Sequence, residues 1–218
     1  KALQVTTIHE LYHATQIRYL DLYKHSTFWF EASASGIEEI AAPDVDDYFS
    51  YLPSMFQMMG TPLNKTDLVV NPKPYANMTY GSGIFMMYLY KFLDKKTDKF
   101  IWEQFAKYPD KSFAQHLTNF SKTKKISVES VFHDFATKLA FSGKKASCLD
   151  TTQWIVEDQI YWPNFEYTFN TDPSSIFTPQ TEKIAYHFYT NGKPMLDNYK
   201  GKASFVSFKG NSVNITNF

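Results

Sequence analysis

The spacing of apolar side chains changes period once along this chain, and that change bounds the folds open to it. Up to about Gly143 apolar residues recur at helical spacing; beyond it they alternate with polar ones. Leu3, Ile8, Leu11, Tyr12, Ile17 and Leu20 predict a helix over residues 3–22. Ser26 or Thr27 can cap a second over 28–42, which Pro43 stops, and Asp44 a third over 45–59, before Gly60 and Pro62. Residues 61–76, with Pro62, Asn64, Asn71, Pro72 and Pro74, read as a loop. Helical spacing returns over 80–93, 98–107, 112–120 and 128–141, with Thr97 and Ser127 as caps and Gly143 as a C-cap.

Past Gly143, Phe165, Tyr167 and Phe169 alternate with polar residues, as do Ile184, Tyr186 and Phe188, and Asn191-Gly192 is a hairpin signal. Phe205, Val206, Phe208, Val213 and Ile215 extend the strand character. The expected class is α+β. A helical unit over 1–143 precedes a small β-rich, sandwich-like accessory unit over 150–218, with too few strands to close and read as cut short at Phe218. The chain starts at Lys1 and its pattern begins within a few residues, so it reads as a mature fragment lacking an N-terminal part.

Composition removes several classes. Lys+Arg and Asp+Glu are 22 each, so the net charge is zero and nucleic acid is not an expected partner. No apolar run reaches the ~18–20 residues of a membrane span, Lys91 interrupting the greasiest stretch. Cys148 is the single cysteine, which excludes an internal disulfide framework and cysteine-rich zinc fingers. Aromatics reach 18%, enough for either a ring-filled core or a carbohydrate-binding β unit. Asn-x-Ser/Thr sequons stand at Asn64, Asn77, Asn119 and Asn214, a weak pointer to glycosylation or secretion.

The chemistry-bearing pattern is His9-Glu10-Leu11-Tyr12-His13, an HExxH inside the first expected helix. Residues four apart share a helix face, so both imidazoles can reach one metal ion, and Glu10 beside them can take a proton from water at that ion. The competing reading is a set of ordinary polar residues on an amphipathic helix. Such a site needs a third protein ligand and an open position. The HExxHxxGxxH arrangement is excluded, because Gln16 and Tyr19 stand where Gly and His are required. His25 lies in the connection beside Lys24. Glu31 is better placed, on the expected second helix among Phe28, Trp29, Phe30, Ala32 and Ala34, where a buried carboxylate needs a cation or strong donors. Its alternative is a salt bridge to Arg18 or a lysine. Glu38, two turns further on the same face, is the runner-up ligand or an acid behind the ligands. Ala32, Ser33, Ala34, Ser35 and Gly36 let this helix approach another closely.

HELYH followed by WFEASASGIEE resembles the gluzincin metallopeptidases, in which HExxH precedes a glutamate ligand on a second helix. Trp29-Phe30-Glu31-Ala32-Ser33-Ala34 resembles the WxNEGxA segment of gluzincin aminopeptidases. It is closer to bacterial secreted metallopeptidases carrying HExxHAxQ and WxxEATAxWxE, a likeness running from residue 5 to about residue 105. The resemblance implies zinc at His9, His13 and Glu31, Glu10 as general base, a peptide or protein substrate, and a secreted or cell-surface location. The GxMEN exopeptidase pattern is missing. Tyr80-Gly81-Ser82-Gly83 fits a Tyr-x-x-Gly of these families, so Tyr80 reads as an oxyanion donor or as one more of 15 tyrosines in the core. His116 and His133 read as surface or satisfied histidines. The function expected is zinc-dependent peptide hydrolysis. The alternatives are an inactive cell-surface binding module on the same scaffold, or a metal hydrolase acting on another substrate.

Overall fold

Helix α2 (Thr27–Ala41) is the element the rest of the helical body packs around, because its small residues leave room for neighbours. In a computed structural model of the chain, residues 1–19, 27–57, 63, 75–164, 204–209 and 212–217 are described. α1 (Ala2–Gln16) lies on one side of α2; α5 (Gly83–Tyr88) crosses the other. Ala32, Ser33, Ala34 and Ser35 of α2 are all buried. The crossing is tight at Gly36: a Cβ there would sit 2.7 Å from Met86 Cβ and 2.9 Å from the Gly83 carbonyl oxygen.

The remaining elements fill in around this pair. A 3-10 turn (Asp47–Ser50) and α3 (Leu52–Gln57) replace the single third helix expected over 45–59. Pro53 stands in the first turn of α3, where a missing N–H costs nothing. α4 (Tyr75–Gly81), α5 and a π turn (Leu89–Leu93) cover the segment expected as one helix over 80–93. α6 (Thr97–Lys107), α7 (Phe113–Thr123) and α8 (Val128–Ala140) follow. Ser112 and Ser127 cap α7 and α8 by accepting from the backbone N–H of Gln115 and Ser130. The expected cap Thr97 is instead the first helical residue of α6. Rings fill the centre: Trp29 and Phe113 are 4.4 Å apart, Phe85 and Phe135 4.7 Å, so much of the aromatic excess is core.

Asp98 ties three helices together. Its Oδ1 accepts from the indole N–H of Trp29 (2.9 Å) and Trp102 (3.1 Å), and its Oδ2 from the Tyr12 hydroxyl of α1. Burial pushes its carboxyl up to about 7, against the opposing Trp102 hydrogen bond.

The β-rich, sandwich-like unit does not hold. Residues expected to open it, from 150 on, form 3-10 turns instead, at Thr151–Gln153 and Glu157–Tyr161, continuing from a 3-10 turn at Gly143–Cys148 that precedes them. They lie on the helical body: Ile155 and Trp162 join the main core, and the Trp162 indole donates to the Tyr48 hydroxyl (2.9 Å). Gln159, fully buried, donates to the carbonyls of Lys138 (3.0 Å) and Phe141 (3.1 Å). This stretch has no period-two alternation, and the Asp150 side chain closes a local turn on Thr152 N–H in place of a strand ladder. Gly143, with φ +58°, is the left-handed residue that starts it. Among the described residues, strand is confined to one antiparallel pair, β1 (Ser204–Lys209) with β2 (Ser212–Asn217), in whose backbone register Val206 pairs with Ile215 and Phe208 with Val213. A single two-stranded ladder supplies no second sheet to pack against. The alternating segments 165–169 and 184–188 and the Asn191-Gly192 turn lie outside the described residues.

Two outcomes test this packing. Gly36→Ala forces a methyl into the α2–α5 contact and should cost about 1–3 kcal/mol of stability in urea denaturation. The second concerns Asp98. Its folded pKa stands above the ordinary 3.8, so its contribution is complete below about pH 3.8 and is lost as pH rises through about 7. Metal-free Asp98→Asn should therefore show a flatter stability profile than the unaltered chain across that window. Equal slopes would mean the carboxyl stays ionised in the fold.

Candidate metal centre

Helix α1 turns an unexpected face toward α2. Of the apolar residues that predicted it, Leu3 is 81% exposed, Leu11 64% and Ile17 51%, while Ile8 and Tyr12 are half-buried. The docked face is instead Val5, His9, Tyr12, His13 and Gln16, which also follow helical spacing. Val5 and Gln16 are its buried residues.

Glu31 of α2 meets both imidazoles. Its Oε2 lies 3.2 Å from His9 Nε2 and 3.4 Å from His13 Nε2, and one ligand atom from each of the three residues lies within 4.8 Å of the others. All three side chains are partly buried. The rings stand edge to face, centroids 4.4 Å apart, and His13 stacks flat on Phe30 at 4.0 Å.

The opposite ring nitrogens are taken. His13 Nδ1 is 2.6 Å from Gln16 Oε1, and His9 Nδ1 pairs with Glu38 Oε1. Gln16 is itself fixed, its Nε2 donating to the Phe30 carbonyl (3.0 Å) and to Ser33 Oγ (2.9 Å), while the Ser33 hydroxyl donates to the Trp29 carbonyl (2.6 Å). When both rings are neutral with Nδ1–H engaged, each turns a bare Nε2 lone pair toward the Glu31 oxygen. Three acceptors then converge with no proton between them, an arrangement that needs a cation. Ligand bonds of about 2.0–2.1 Å at tetrahedral angles place ligand atoms about 3.3 Å apart. The His9–Glu31 and His13–Glu31 separations match that edge. The residues present thus fit a metal ion, and His9, His13 and Glu31 form a group close enough to hold one.

Without a metal, a proton on His9 takes the place of that cation. Burial alone would lower His9, but the hydrogen bonds to Glu31 and Glu38 outweigh it and hold the ring up to about 9. Burial would raise Glu31, yet His13 and His9 draw it down to about 2. Burial raises Glu38, with His9 opposing.

Glu10 and Tyr80 border the group. Glu10 is exposed and has no hydrogen-bond partner among the described residues. The Tyr80 ring is 6.0 Å from the His9 ring and 5.1 Å from that of Tyr51. Burial, then the charge of Glu31, Tyr51 and the charge of Glu10, push the Tyr80 phenol up to about 12. The runner-up ligand Glu38 stands behind His9 rather than in the triad. His25 lies outside the described residues. No family model, curated protein or solved structure matches this chain.

Sequence reasoning had no role for Gln16 beyond the resemblance, although its place three residues after His13 puts it within reach of that ring. If Gln16 and Glu38 orient the two imidazoles, Gln16→Leu and Glu38→Gln should each weaken metal affinity by about 10–100-fold. Competition with a chromophoric chelator measures this, with circular dichroism confirming that the helices remain.

Proposed function

We propose that the protein is a zinc-dependent peptidase of gluzincin type, with His9, His13 and Glu31 as ligands. The observation that carries this reading is the meeting of two imidazole nitrogens and one carboxylate oxygen whose neighbouring donors are engaged elsewhere. Two nitrogens and one oxygen on two helices, with an exposed carboxylate beside them, suit hydrolytic zinc better than magnesium or calcium, which take oxygen. Zinc bound there would polarise the scissile carbonyl and bring water toward a pKa of ~7.

The remaining work falls to side chains. Glu10 follows His9 directly and stands free in solvent, placed to accept the proton of the attacking water and hand it to the leaving amine as the C–N bond breaks. Tyr80, pushed up to about 12, keeps its proton at neutral pH and can donate to the carbonyl oxygen as charge develops there. Glu38 and Gln16 hold the imidazoles through their Nδ1 atoms, so each Nε2 remains a ligand atom.

Three variants separate these roles. Glu10→Gln should bind zinc as the unaltered protein does and lose peptide hydrolysis by ~10²–10⁴-fold. Tyr80→Phe should keep zinc and lose ~10²–10³-fold in kcat. Glu31→Gln should lose zinc and activity together, because an amide is a poor ligand. Zinc content by atomic absorption and turnover of a broad peptide library are the readouts. A zinc-loaded protein that cleaves no member of the library would replace this reading with that of a binding module.

A further inference from the structure

A second group of carboxylates shares no residue with the His9–Glu31 centre, although Glu38, which pairs with His9, borders it. Glu39 stands in the last turn of α2, Asp46 just before the Asp47–Ser50 turn, and Asp158 in the Glu157–Tyr161 turn. One oxygen from each lies within 4.8 Å of the others. Three acids alone are commonplace on a surface, but this set is not laid out like a surface. Glu39 is 8% exposed, points into the group, and has no hydrogen bond or ion pair among the described residues. Asp46 Oδ1 is fully covered and unpartnered, while the Asp46 and Asp158 carboxyls share a hydrogen bond with each other. Lys1, whose charge acts on Asp46, gives its ammonium hydrogen bond to the Asp44 carbonyl oxygen (2.7 Å) rather than to any of the three. Glu39 and Asp46 line a narrow crevice with Val5, Glu38, Ala42, Val45, Asp47 and Tyr48.

We propose that Glu39, Asp46 and Asp158 form a calcium site that fastens the Glu157–Tyr161 turn to the C-terminal end of α2. Burying an unpaired carboxylate against two others is strongly unfavourable unless a proton or a cation shares the space. Burial, then the charges of Asp46, Asp158 and Asp44, push Glu39 up to about 8, a penalty that a divalent ion relieves. All the donors are hard oxygens, with no imidazole or thiolate, which excludes a second zinc-type centre. Calcium bonds of 2.3–2.6 Å allow ligand oxygens on opposite sides of the ion to stand about 5 Å apart, and backbone oxygens and water can complete its irregular shell. Magnesium holds its waters and demands a near-ideal octahedron, which a covered side chain such as Glu39 serves poorly. The ion would join segments far apart in sequence, so its effect is on the docking of the 143–164 segment.

Terbium is the probe, because it takes calcium positions. The Tyr48 ring lines the crevice and its hydroxyl bonds to the Trp162 indole, so nearby rings are placed to sensitise terbium emission. The full chain, freed of metal, is titrated with Tb³⁺ under tryptophan excitation, then with Ca²⁺ or Mg²⁺ as competitor, and its Tm is followed in millimolar Ca²⁺. Sensitised emission displaced by Ca²⁺ well before Mg²⁺, with a Tm rise of several degrees, is the expected result. Asp46→Asn keeps a residue tolerant of the left-handed φ of 55° and so should fold. It and Asp158→Asn should each weaken Tb³⁺ binding by about tenfold or more and remove the Tm rise. Glu31→Gln should leave both unchanged, which keeps this site separate from the zinc reading. Absent emission together with an unmoved Tm overturns the proposal. So does loss of emission in Glu31→Gln but not in the aspartate variants. Equal displacement by Mg²⁺ overturns the choice of calcium.

Discussion

Everything at the candidate centre depends on how α1 is held. An ordinary surface helix is fixed by an apolar stripe, and α1 has its leucines in water. It is anchored by polar contacts: Gln16 into the backbone and Ser33 of α2, Tyr12 onto Asp98, and His9 and His13 against Glu31 and Glu38. Each is directional, so they fix the rotation of the helix as well as its distance. That rotation decides which ring nitrogens face the shared space.

The platform beneath is rigid for a different reason. α2 carries a run of small residues that lets α5 approach until Gly36 and Gly83 nearly touch. Close backbone contact leaves little freedom for sliding, and the large rings of Trp29, Phe85 and Phe113 lock the far side. Glu31 therefore projects from a helix whose position is set by packing, while the histidines project from one set by hydrogen bonds.

This division explains what was legible in the sequence. HExxH spacing and the glutamate on the next helix are local properties of helical geometry, and His9, His13 and Glu31 came together as the spacing implied. Helix positions were legible wherever apolar period and cap agreed, as at α8 with Ser127; at α7 the period was legible but Ser112 read as helix rather than as its cap. The inward face of α1 was not, because hydrophobic periodicity selects the apolar side and this helix docks by its polar one. Alternation in the last residues located the β1–β2 ladder but not what a strand would pair with beyond it. The 143–164 segment escaped because its attachment rests on Gln159 and Trp162, side chains that carry no periodic signal.

The sparse apolar footing of α1 has a consequence for the free-energy surface of the molecule. A helix whose apolar contribution to the core is the single side chain Val5 detaches more cheaply than α2 or α5, whose faces lie deep inside. Its amide hydrogens should thus exchange through a sub-global opening rather than through full unfolding. Any ion that binds only the attached form adds its own chemical potential to that opening. Occupancy of the centre and protection of the α1 backbone become one equilibrium, with the metal acting as a latch on the helix that carries its ligands.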